Sequence, residues 1–353
     1  MKLNNYIKQV KEEWSEHWFE FILSLDNDKL CWQTISQNTN VTWKLVCRHP
    51  DKPWHFNMLS QSREITLEII ESNPDKPWDY FYLSRNPNLT LDYVLQHPHL
   101  PWNWICLSAN KNVTMDLVEK NPNLPWSFSG LSCNPNLTPD FFVENMDESW
   151  DWLMLSRNKM ITWELVSCYP ELNWCWNSIS RHRNINWEIV KANPQIPWVC
   201  TGLAGNPNIT YDIIEAETEY RWPWFWVSQN ENITPEIIEA NLDKPWSYTT
   251  YSYNSHITME FVIKNRHQFF DWWSMSSNPG IRIRDFRENQ FHPWIIERIC
   301  LNTFSKDRKE FMEDKLRRFL AARKIQKWWL DIKYDPRTRL GLQYANELYN
   351  ENF

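Results

Sequence analysis

The chain has 353 residues, 42% of them hydrophobic, with 25 Trp, 21 Pro, only 5 Gly and a net charge of −7. That apolar content builds a folded core, and so few scattered Gly exclude a Gly-rich phosphate loop. Residues 301–353 carry 12 basic and 8 acidic side chains, net +4, against 25 and 36, net −11, elsewhere; such an acidic surplus argues against nucleic-acid binding by the larger part.

In residues 1–29, Tyr6, Val10, Trp14, Trp18 and Phe21 recur at helical spacing. The spacing predicts an N-terminal capping helix covering whatever follows. Residues 1–11 are polar and charged, so no secretory signal is expected and the location is expected to be cytoplasmic. The apolar run 19–25 is too short to span a bilayer.

From residue 30 to 304 one pattern returns every 24 residues. Its anchor, the apolar residue of a Leu-Ser pair, reads Ile35, Leu59, Leu83, Leu107, Leu131, Leu155, Ile179, Leu203, Val227, Tyr251, Met275 and Ile299. Five residues earlier stands a Trp, from Trp54 through Trp246, then Phe270 and Trp294. The first copy looks two residues short, with Trp32 only three before Ile35. Equal steps of this kind mark a repeat array.

Each copy predicts two short helices. The second starts at a Thr seven past the anchor, such as Thr66, Thr90, Thr114 and Thr138, with an acid two residues on. Thr suits the N-cap and the acid complements the helix dipole. Pro139 and Pro235 stand at the first helical position. Apolar residues flank each cap at hydrophobic-staple spacing, as in Ile65 and Ile70. The first helix is expected from the Pro-Trp pair to the Asn-Pro pair, where Asn86, Asn134, Asn206 and Asn278 are read as left-handed C-caps in place of Gly.

Ordering 24 residues costs about 36 kcal/mol at roughly 1.5 kcal/mol each, whereas one buried Trp returns about 4–6 kcal/mol gross. No copy folds alone, so stability must come from neighbour on neighbour. The expected fold is an all-α solenoid of about twelve 24-residue two-helix repeats with helical caps. At about 8–10 Å per helix layer it would be a rod or arc on the order of 100 Å long.

Residues 305–353 break the pattern. Residues 306–333 read as a basic amphipathic helix ended by Asp335-Pro336, with a short final helix around 340–348. Within it, Ala321, Ala322, Arg323, Lys324, Ile325, Gln326, Lys327, Trp328 and Trp329 resemble the opening of a calmodulin-binding IQ motif, from which Leu330 and Asp331 depart. Arg323 to Trp329 are therefore the candidate partner-binding residues. A calmodulin-like partner, an anionic membrane and nucleic acid are the alternatives for such a helix; the structural alternative is that it packs on the last repeat.

No other constellation carries chemistry. Asn40, Asn88, Asn112, Asn136, Asn208 and Asn232 begin Asn-x-Thr sequons, but turn and cap chemistry accounts for them. Stacked Asn amides could instead hold a peptide backbone. Eight Cys lack metal spacing and are expected as free thiols. Nine His form no ligand motif; His97 and His99 flank Pro98 as turn-surface residues or a weak metal pair. The only place where charged residues displace the pattern together is Arg181, His182 and Arg183, where an enzyme or cofactor site in a concave face would sit. No catalytic, cofactor or metal residues are assigned.

The stretch Pro77-Trp78-Asp79 through Asn86-Pro87-Asn88-Leu89-Thr90, repeated at 24, resembles uncharacterised repeat proteins of amoeba-infecting giant viruses of the mimivirus type. The tail Lys324-Ile325-Gln326-Lys327-Trp328-Trp329 with Tyr334-Asp335-Pro336-Arg337-Thr338 is similar to tails in that group. The resemblance implies a viral protein in a host cytoplasm and carries no activity with it. The expected function is a non-enzymatic protein–protein interaction scaffold.

Overall fold

The computed structural model describes residues 2–335 and 337–352, all helix, turn and loop with no strand among them. It divides into two bodies, Met1–Glu20 with Ser305–Phe353, and Phe21–Phe304.

In the larger body most of the expected Thr caps form, while Thr210 and Thr234 stand at the N-cap without a side-chain bond to the helix backbone. Thr42, Thr66, Thr90, Thr114, Thr138, Thr162 and Thr258 accept the backbone N–H three residues on at 3.2–3.4 Å. Asn186 does the same at 2.9 Å. At Arg282 the cap is made from the other side, since the Asp285 carboxylate accepts the Arg282 N–H at 2.8 Å. The helices so started are six residues long, such as Leu67–Ser72 and Met115–Lys120. Their ends are closed by a second Asn: Asn73, Asn121, Asn145, Asn193 and Asn241 donate Nδ2 to the carbonyl four residues back.

The first helices are shorter still, as in Tyr80–Leu83 and Trp104–Ser108. They start three residues before the anchor, so the Trp lies outside the helix. Its indole N–H donates at 2.7–3.1 Å to a carbonyl five residues back, as Trp78 does to Asn73. Trp32 begins the helix Trp32–Gln37. Trp32 fills the aromatic position three before the anchor, and Leu30 stands where other copies carry the Trp.

Three contacts recur between neighbouring copies, although Cys200 and Ile296 replace the aromatic in the eighth and twelfth. The aromatic three before the anchor meets the next copy's Trp edge-on, as in Phe56–Trp78 and Trp104–Trp126, with centroids 4.8–6.1 Å apart. Each such pair adds about 0.5–1.5 kcal/mol beyond burial. The Ser after the anchor accepts the backbone N–H nineteen residues on, as Ser60 does from Asp79 and Ser108 from Ser127. Where Ala204 replaces that Ser, the residue nineteen on is Pro223, which has no N–H to offer. The third contact is the Asn three past the anchor. Asn86 Nδ2 reaches the carbonyls of Ser60, Ser62 and Ile65 in the preceding copy, and its Oδ1 accepts from Asn88.

That ladder corrects the left-handed Asn expected at the end of the first helix. Among the described residues only Phe304 has positive φ outside Gly. Asn is selected here for a side chain that donates backward and accepts forward, not for its tolerance of that backbone region.

The same bonds join the first copy to the last. Asn38 Nδ2 donates to the carbonyls of Cys300 (2.8 Å) and Asn302 (3.1 Å), and Asn40 Nδ2 to that of Thr303 (3.0 Å). Cys300 stands at the Ser position and its sulfur is hydrogen-bonded to the Cys31 backbone, while burial pushes its thiol up to about 11. An open rod or arc is thereby overturned. Residues 299–304 of the last copy thus supply the carbonyls that this joint uses.

The second body brings together the two ends of the chain. The N-terminal helix, Leu3–Leu23, pairs over its first turns with the tail. Tyr6 stacks on Phe319 at 4.0 Å and donates to the Lys315 carbonyl, and Trp14 packs on Phe311 at 5.5 Å. Lys315 bonds Glu13 at 2.7 Å and holds that carboxyl below its usual range. Farther on, Phe21, in the larger body, meets Phe286 and Phe304. The tail helix runs Ser305–Tyr334 and the last helix Arg339–Asn352; Pro336, expected to end the first of them, lies outside the described residues. No helix among the described residues is long and apolar enough to cross a membrane.

Candidate functional site

With the repeated positions occupied by packing, function must use positions the repeat leaves open. One lies two residues before the anchor, on the outward side of each first helix. It reads Gln33, Asn57, Phe81, Ile105, Ser129, Leu153, Asn177, Thr201, Phe225, Thr249, Trp273 and Glu297. Five of these are large and apolar, and Phe81, Ile105, Leu153, Phe225 and Trp273 stand 41–57% exposed. Arg85 lies over the Phe81 ring at 5.0 Å and Arg298 over Trp273 at 4.9 Å. The sequence reading missed this face because an exposed apolar residue beside a buried one looks like core in any single copy.

The tail residues Arg323, Lys324, Ile325, Gln326, Lys327, Trp328 and Trp329 all stand exposed on one helix. Ile325 is 64% and Trp328 63% accessible, and Lys333 covers part of Trp329 at 5.2 Å. They share a helix without forming a cavity.

Arg181, His182 and Arg183 part company. His182 is buried and replaces Asn in the ladder, with Nε2 3.1 Å from the Asn158 carbonyl and Nδ1 accepting the Asn184 N–H at 3.2 Å. It therefore keeps one donor and one acceptor and needs the neutral ring. Arg181 and Arg183 reach solvent on either side. Burial first, and then the neighbouring Arg183 charge, push the His182 pKa below its ordinary 6.5. The folded chain releases this proton more readily than the unfolded chain, so stability is complete above about 6.5 and declines as pH falls toward the lowered value. His182→Asn restores the ladder without a titrating group. Its thermal melts should show a shallower loss between neutral and mildly acidic pH than the native chain; equal slopes would refute the assignment.

The sequon amides are engaged. Asn88 Nδ2 donates to the carbonyls of Arg63 and Ile65, and Asn136 Nδ2 to those of Lys111 and Val113. The stacked Asn amides likewise face the chain's own backbone and do not offer it to a peptide. His97 Nδ1 pairs with the Tyr93 carbonyl at 2.9 Å. No group of His, Cys, Asp or Glu among the described residues could hold a metal ion, and the described cysteines are free. Comparison with protein-family models, curated proteins and solved structures returned no match.

Proposed function

We propose that residues 30–304 form a closed ring of twelve two-helix repeats that acts as a non-enzymatic protein-binding scaffold. The joint between the first and last copies supports the ring. The row of exposed Phe81, Ile105, Leu153, Phe225 and Trp273 supports the binding reading, because packing demands nothing at that position and large apolar side chains there cost solubility unless covered. Aromatic rings under Arg are the composition of binding hot spots. The tail offers a second contact, since Ile325 and Trp328 are exposed among Arg323, Lys324 and Lys327. The resemblance to giant-virus repeat proteins would place both surfaces among proteins of an infected cytoplasm.

The test compares the native chain with a variant carrying Phe81→Ser, Ile105→Ser and Phe225→Ser. These side chains face solvent, so the helical spectrum and the melting temperature should stay within a few degrees. Partners captured by the native chain should be lost. A second variant, Trp328→Ser with Trp329→Ser, reports the tail's share. Unchanged capture by both variants, or no reproducible partner, would sink the reading.

A further inference from the structure

Beyond protein binding, the geometry points to a site for a compact polyanion, a small molecule bearing several phosphate groups, between the sixth and seventh copies. A cavity of about 550 Å³ is lined there by Arg157, Lys159, Arg181 and Arg183, with Asn177 and Ser178. The two pairs are one repeat apart, so equivalent positions in neighbouring copies bring four cations to one hollow. None makes an ion pair within the described residues, although exposed Lys elsewhere are paired, as Lys52 with Asp51, Lys76 with Asp75 and Lys244 with Asp243. Four unneutralised cations repel one another and lie in a part of the chain that is otherwise acidic; such an arrangement suits an anion supplied from outside.

Two details shape the hollow. Arg157 Nε donates to Ser178 Oγ at 3.3 Å, which fixes that guanidinium and leaves its other N–H groups free to reach a ligand. Arg181 lies over Gly205, where an added Cβ would come within 3.0 Å of the guanidinium carbon. Gly205 thus leaves the space that the Arg181 head occupies. The adjoining recess is lined by Arg181, Arg183, Gly205 and Pro207, with Glu231 at its far side.

Three guanidinium forks and an ammonium match phosphate oxygens in charge and in paired donor geometry. The volume falls within the range of small-molecule sites. A polymer such as nucleic acid would have to run on past Glu231 and over the acidic neighbouring copies, so a compact ligand is favoured over an extended one.

Calorimetric titration of the full chain, at constant ionic strength, tests this with tripolyphosphate, inositol hexakisphosphate and a single-stranded oligonucleotide as probes. Saturable binding of at least one of the two compact probes is expected, tighter than that of the oligonucleotide. Arg181→Gln and Arg183→Gln should each weaken it about tenfold or more, as loss of a charge-assisted bond implies. Gly205→Ala, which shifts one side chain by tenths of an ångström and leaves the fold, should weaken it less. Lys76→Gln, outside the hollow and paired with Asp75, should leave it unchanged. The proposal is overturned if neither compact probe binds at millimolar concentration, if the Arg181 and Arg183 variants that melt normally bind as the native chain does, or if the oligonucleotide binds as tightly.

Discussion

Deletion of residues 102–125, one complete copy, is expected to abolish the monomeric native state. The cut restores a Pro-Trp junction, Pro101 to Trp126, and keeps every local signal in register. In an open stack the loss would be one interface out of many and the remainder would fold. Here the first and last copies are joined, and the angle between copies is set by packing. Gly130 and Gly202 show how closely the first helices approach, since a Cβ on either would collide with the carbonyl of Ile105 or Asn177 in the preceding copy. Eleven copies at that angle leave a gap. Asn38 and Asn40 would then lose the carbonyls of Cys300, Asn302 and Thr303. Each buried polar group left unpaired costs about 1–3 kcal/mol, and several at once approach a typical total stability of about 5–15 kcal/mol. Light scattering and thermal melting should show either a melt lowered by roughly 10 °C or more, or dimers in which two broken arrays complete each other. A monomer melting within a few degrees of the native chain would refute closure.

The repeat, the Thr caps and the all-helical class were legible because each rests on a local rule that one copy is enough to show. Thr66 with Ile65 and Ile70 announces a helix start whatever the neighbours do. Closure was not legible, since it depends on a small angle added at every step, and no single copy reveals that angle. Cys300 and Asn302 nonetheless sit at the Ser and Asn positions, so the last copy carries the interface residues that a following copy would meet. Ala204 facing Pro223 was also there to be found, as a lost acceptor beside a lost donor. The candidate anion site was half visible. Arg181 and Arg183 stood out, but subtracting 24 to reach Arg157 and Lys159 was the step that makes a cluster of them. The N-terminal helix showed an apolar stripe in Tyr6, Val10 and Trp14. A stripe announces that it will be covered and not by what, and Phe311 and Phe319 lie some 300 residues away.

Replacing one ladder Asn should be the most damaging point change in the array, and the identity of the replacement should rank the damage. Asn134 is fully buried and donates to the carbonyls of Ser108 (2.7 Å), Asn110 (3.2 Å) and Val113 (3.0 Å), while accepting from Asn136 at 2.7 Å. Asn134→Ala removes every one of these bonds and admits no solvent, so about 3–4 kcal/mol should be lost. Asn134→Asp keeps the acceptor for Asn136 but turns a carboxylate toward three carbonyl oxygens, where no cation is present to pair with it. It should therefore cost more than Ala despite its closer shape. Asn134→His should cost least, because His182 already shows that an imidazole fits a ladder position with one donor back and one acceptor forward. Urea midpoints at pH 8, where the imidazole is neutral, should fall in the order His, Ala, Asp. If Asp proves milder than Ala, the carbonyls of the preceding copy are not the groups this side chain serves, and the ladder loses its place as the bond that holds neighbour to neighbour.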